Sequence, residues 1–138
     1  MPRRFSHAVS WRFRSSGKAY AVNGSWANAS DRRIKEDIRP LSEPLERMRQ
    51  VRGYTWTRRD TGVKQQGFIA QEIQKILPSA VFESGTSLTM RDGEVIDNVL
   101  AIDTVGATAA LHHEAILALM DEIESLKVRL GKYESMAG

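Results

Sequence analysis

Between Asn28 and Lys35 the chain reads Asn-Ala-Ser-Asp-Arg-Arg-Ile-Lys, which sets a hydroxyl, Ser30, five positions before an amine, Lys35. A serine hydroxyl becomes a useful nucleophile only when a neighbouring base takes its proton, and an amine can be that base only while it is neutral. Free lysine titrates at about 10.4, so such a site needs burial or like charge to favour the neutral amine. Arg32 and Arg33 are the nearby sources of like charge. The chemistry this would allow is attack of Ser30 Oγ on the carbonyl carbon of Ala29, the residue just before it. Lys35 would take the hydroxyl proton and return it to the leaving amine. A second reading stands beside it on the residues alone: a capping serine followed by a solvated basic turn. Five positions share neither a helix face nor a strand face, so a turn, or a Lys35 from a neighbouring chain, must bring the two groups together.

The elements around this stretch divide the chain. From Phe5 to Ala27, Val9, Trp11 and Phe13 alternate, a Ser15-Ser16-Gly17 turn follows, and Tyr20 and Val22 alternate again, a hairpin or stem pattern with too few apolar residues for its own core. Met1-Pro2 directly before it suggests a truncated chain or a small separate gene product. Beyond Lys35, Leu45, Met48 and Val51 share a helical face after Ser42 as N-cap and Pro44, predicting a helix over about 43–52 with Gly53 as its stop. Tyr54 to Thr57 is strand-like, Asp60-Thr61-Gly62 a turn, Gly67 to Ala70 apolar, and Gln71 to Leu77 a short helix ended by Pro78. Val81-Phe82 and Ser87 to Met90 are short strands, Arg91-Asp92-Gly93-Glu94 a hairpin turn, and Val95 to Ile102 the returning strand. The fold class is α+β.

The last segment, about 103–135, has the strongest period. With Ala109, Ile116, Ile123 and Leu130 at a, Val105, His112, Leu119, Leu126 and Tyr133 fall at d, a seam of four heptads. Glu122 at g can meet Lys127 at e of a neighbouring helix, and Arg129 can meet Glu134. Self-association through this seam stands against an amphipathic helix packed on its own domain. His112 and His113 diverge on a helix, so His112 reads as a polar seam residue and His113 as surface; no metal site is expected. Asp121, Glu122 and Glu124 read as a solvated face, and Trp11, Trp26 and Trp56 as core or interface residues.

Composition narrows the function. At 138 residues there is room for one domain with a core. Residues 1–29 carry +5 without an acid, whereas 30–138 carry 15 basic and 17 acidic residues, giving −2. The charge therefore sits outside the folded part, and nucleic acid is not the expected partner. There is no cysteine, hence no disulfide or thiolate site. No apolar run suits a bilayer and no secretory pattern opens the chain, so a soluble protein not exported by that route is expected. No phosphate loop or carboxylate pair in a convincing setting occurs, so the residues do not call for glycosidase chemistry or for a cofactor.

Ser30-Asp31-Arg32-Arg33-Ile34-Lys35-Glu36-Asp37-Ile38, then Gly67-Phe68-Ile69-Ala70-Gln71-Glu72-Ile73 with Leu77-Pro78, and the long last helix together resemble the intramolecular chaperone domain of phage endosialidases, tailspikes and tail fibres, the S74 type of self-cleaving peptidase. The resemblance runs from about Gly24 to the C-terminus. It departs at Ile34, where leucine is common, and at Phe68, where a smaller residue is frequent. It implies domains of 1–29, the end of a fibre β-stem, and 30–138, a chaperone with an α+β body over 30–102 and a trimerisation helix over 103–135. It implies a Ser30–Lys35 dyad cutting Ala29–Ser30, a homotrimer held by Ile116, Leu119, Ile123, Leu126 and Leu130, and an upstream fibre body as the other partner. It also implies assembly in a host cytoplasm, with no membrane contact. A related domain occurs in a membrane-anchored eukaryotic transcription factor, so the resemblance does not by itself fix a phage origin.

Overall fold

A computed structural model describes residues 28–138; the expected stem pattern at Phe5 to Ala27, with Trp11 and Trp26, lies outside the described residues. The described residues fall into two units, 28–38 and Arg39–Gly138.

The larger unit is α+β, with three two-stranded antiparallel sheets and a long C-terminal helix. It opens with helix α1, Pro44–Arg49. Ser42 does not cap it. Glu43 takes the N-cap position in the left-handed region (φ 51°) and makes no side-chain cap hydrogen bond. Arg47 uses the Ser42 atoms instead, donating from Nε to the Ser42 carbonyl at 2.7 Å and from Nη2 to Ser42 Oγ at 3.3 Å. Its Nη1 reaches the Ile76 carbonyl at the end of the next helix, where a cation suits the orphan acceptors of a helix C-terminus. The helix also ends earlier than its apolar spacing predicts, with Gln50 as C-cap.

Strands β1, Tyr54–Thr57, and β2, Lys64–Gly67, form the first hairpin, with Tyr54 opposite Gly67 and Thr57 opposite Lys64. Its loop is closed by Arg58, whose guanidinium forks onto Asp60, the Nε to Oδ1 distance being 2.8 Å. Helix α2, Ala70–Ile76, follows and ends at Pro78, which opens a 3₁₀ turn, Pro78–Ala80. The remaining strands form a single long excursion from Val81 to Ile102. Its base pairs β3, Val81–Glu83, with β6, Leu100–Ile102, and its tip pairs β4, Leu88–Thr89, with β5, Val95–Ile96. The expected continuous return from Val95 to Ile102 is therefore broken. The register shifts by one residue between base and tip, and Asn98 absorbs the shift at φ 46° while its Oδ1 accepts from the Gly85 amide at 3.1 Å. The tips of the two hairpins are tied by Arg59, which reaches Asp92 (2.9 Å) and Glu94.

The core is small: Val51, Ile73, Ile76, Ala80 and Leu111, with Leu41, Met48, Phe68, Leu77, Val81, Ile102 and Ala107 packed around it. Leu111 belongs to helix α3, Thr104–Ala137, which Asp103 caps by accepting from the Gly106 amide at 3.2 Å. Only the first half of α3 meets the body. Leu111 and Ala115 are buried and Ala107, Thr108, Glu114 and Ala118 half-buried, all at c, f or g of the heptad, whereas every residue from Leu119 onward is exposed. Beyond His112, the a and d positions from Ile116 onward lie off the intramolecular contact: Ile116 is 57% exposed, Ile123 52% and Leu126 57%. At about 1.5 Å per residue the exposed part of α3 extends about 28 Å.

Candidate functional site

The smaller unit holds Ala29, Ser30 and Lys35. Residues Arg32–Ile34 form one 3₁₀ turn, closed by the Ile34 amide on the Asp31 carbonyl (3.2 Å) and the Lys35 amide on the Arg32 carbonyl (3.1 Å). Asp31 is its N-cap, extended at φ −63°, ψ 137°, and its Oδ1 accepts from the Arg33 amide at 2.8 Å. The turn folds this way because an aspartate before it supplies the acceptor that the first free amides lack. The same carboxylate is gripped by the Arg33 side chain, from Nε to Oδ1 at 3.0 Å and from Nη2 to Oδ2 at 2.6 Å. That pairing holds the Asp31 carboxyl below its ordinary range and raises the Arg33 guanidinium.

Ser30 precedes the capped turn and Lys35 follows it, in extended backbone at φ −124°, ψ 142°. The turn brings its two flanks together, and Lys35 Nζ donates to Ser30 Oγ at 2.5 Å. A turn within one chain thus accounts for the approach that neither helix nor strand spacing could give. Both residues are exposed. Of the two arginines considered as like charge, Arg33 is matched by Asp31 and Arg32 is left free of any ion pair among the described residues.

The second motif lies in the larger unit and is described by itself. Gly67 sits at φ 153° with Trp56 across the hairpin, and a Cβ there would stand 3.1 Å from the indole edge. Trp56, Phe68, Leu100 and Ile102 are among the residues that line a groove. Glu72 accepts from the Tyr54 hydroxyl at 2.9 Å, a contact that raises the tyrosine, while its second oxygen is buried without a partner. This Tyr54–Glu72 pair had no signal in the sequence beyond the motif itself. His112, placed in the seam by its spacing, sets its ring against Phe68 of the body, centroids 6.4 Å apart. His113 is exposed, as are Asp121, Glu122 and Glu124. Lys127 lies 3.9 Å from Glu124 of its own helix. No group of three metal-ligating side chains occurs among the described residues, and none of their helices is long and apolar enough to cross a membrane.

Residues 30–82 match the family model described as chaperone of endosialidase, Peptidase S74. The S74-type resemblance is thereby shown, and a chaperone role is supported. Two relatives come from Dictyostelium discoideum. The chain is 32% identical over 139 residues to a myelin gene regulatory factor-like protein A, covering 86% of this chain and 14% of that protein. It is 29% identical over 111 residues to an uncharacterized membrane protein, covering 63% of this chain and 6% of that protein. The chain thus spans about a seventh or less of these curated relatives.

Proposed function

We propose that the chain is the C-terminal intramolecular chaperone of a trimeric fibre or spike, which promotes assembly of the preceding segment and then releases itself by cutting Ala29–Ser30. The observation that carries the cleavage is the 2.5 Å contact between Lys35 Nζ and Ser30 Oγ beside that peptide bond. With the amine neutral, the same contact runs in reverse, the hydroxyl donating to Nζ. Ser30 Oγ then bonds to the Ala29 carbonyl carbon, the Ala29–Ser30 C–N bond breaks, and the proton taken by Lys35 passes to the departing Ser30 nitrogen. The product is an ester between the Ala29 acyl group and Ser30 Oγ. Water adds to that ester carbonyl, giving the Ala29 carboxylate and restoring the hydroxyl, so that residues 1–29 separate from 30–138. Because both members of the dyad are exposed in the single chain, the water exclusion that a neutral amine requires comes from assembly. The exposed α3 seam supplies that assembly through Ile116, Leu119, Ile123, Leu126 and Leu130. Assembly takes place in a host cytoplasm, after which the fibre enters the virion and the chaperone stays behind.

The same exposed seam, taken with an uncovered dyad, favours one alternative, a trimerisation or adaptor module that never cuts. Mass spectrometry of freshly expressed protein separates the two. Fragments 1–29 and 30–138, with Ser30 as a new N-terminus, are expected, and they should disappear in Ser30→Ala and in Lys35→Arg, whose guanidinium cannot serve as the base. A single intact wild-type chain would favour the module that does not cut, and continued cutting in Ser30→Ala would remove the dyad.

A further inference from the structure

We infer that Asp31 is a positioning residue for the self-cleavage: through the Arg32–Ile34 turn it sets the distance between Ser30 Oγ and Lys35 Nζ. The inference rests on the dyad proposed above and adds what aligns it. Ser30 and Lys35 touch each other but neither is held by a further side-chain hydrogen bond among the described residues, so their approach is decided by the backbone between them. That backbone is a turn of three residues, too short to persist on the strength of its own two hydrogen bonds. Asp31 adds the rest. One oxygen takes the Arg33 amide, and the carboxylate as a whole takes the Arg33 guanidinium in a forked contact, joining N-cap and turn centre through backbone and side chain at once. The clamp also sorts the two arginines. Arg33 is spent on Asp31, and Arg32 is the one whose charge is left to bias the lysine.

Cap chemistry gives the test its resolution. Asparagine and serine offer an oxygen to the same amide nearly as well as aspartate does, whereas alanine offers none. In full-length chains, the rate of cleavage at Ala29–Ser30 should fall roughly fivefold to tenfold in Asp31→Ala and recover most of that loss in Asp31→Asn and Asp31→Ser. Circular dichroism should be unchanged throughout. Equal rates in wild type and Asp31→Ala would overturn the inference while leaving the dyad standing, and a loss that neither Asn nor Ser rescues would overturn the capping role. Should the wild-type chain not cut at all, the cleavage reading falls, and the positioning is then decided by carbon NMR of the Lys35 ε-methylene in the intact chain. Ser30→Ala should move that resonance in the wild-type background and leave it in place in the Asp31→Ala background. Equal movement in both would show that Ser30 and Lys35 meet without Asp31.

Discussion

Ser30 and Lys35 owe their proximity to neighbours whose own chemistry is ionic, and that makes the local structure sensitive to acid in a defined window. Arg33 lowers the Asp31 carboxyl, and in the larger unit Arg58 lowers Asp60 to about 2. A carboxylate with a depressed folded value contributes fully above its ordinary titration near 3.8 and loses that contribution as pH falls through the folded value. Neither turn should therefore loosen between pH 7 and 5. Carbon NMR of the Asp60 carboxyl should show protonation only as pH approaches about 2, with the β1–β2 hairpin amides shifting at the same point. An Asp60 carboxyl titrating at its ordinary value would mean that the fork from Arg58 is not formed in solution. The residue types of the dyad were legible in the sequence, but their contact was not. Spacing rules address helices and strands, whereas the approach here depends on one capped turn whose signal, an aspartate two positions before an arginine, is short and common.

At the scale of elements, α3 separates two kinds of apolar surface. Leu111 is 1% exposed against the core, while Leu126 is 57% exposed on the projecting half. Leu111→Ala should cost about 2–5 kcal/mol of unfolding free energy in chemical denaturation, since it leaves a cavity in a core of few residues. Leu126→Ala should change the stability of the single chain by no more than about 0.5 kcal/mol. Equal costs would mean that the projecting half folds back on the body. The heptads in the sequence located the helix, but not the face turned to the body, because that face is made largely of Ala107, Ala115 and Ala118, whose small side chains carry little hydrophobic signal. The strands divide in the same way. Tyr54–Thr57 and the Arg91-Asp92-Gly93-Glu94 turn follow from local residues, whereas the break at Asn98 depends on which partner each half of the returning strand finds.

At the scale of the whole molecule, the proposed trimer and the proposed cut become one question. Ile116→Asp with Ile123→Asp places unpaired charges at two successive a positions that lie outside the core, so the body should fold while the seam fails. Light scattering should report monomers, and cleavage should be lost with assembly. A folded monomer that still cut at the wild-type rate would show the dyad complete within one chain. Helix α3 runs without interruption from Thr104 to Ala137, and its two faces are therefore locked in phase, as cams on one shaft. One alanine inserted after Ala118 would keep the body face and the seam from Leu119 onward, removing only Ile116 from it, yet turn each body about 100° around the bundle, whereas seven would restore the angle to within about 20° and add about 10 Å of height. If cleavage requires the bodies of the proposed trimer to stand at a set angle, the single insertion should still assemble and stay uncut, and the seven-residue insertion should cut. The timing of release would then be written in the rotational setting of a helix.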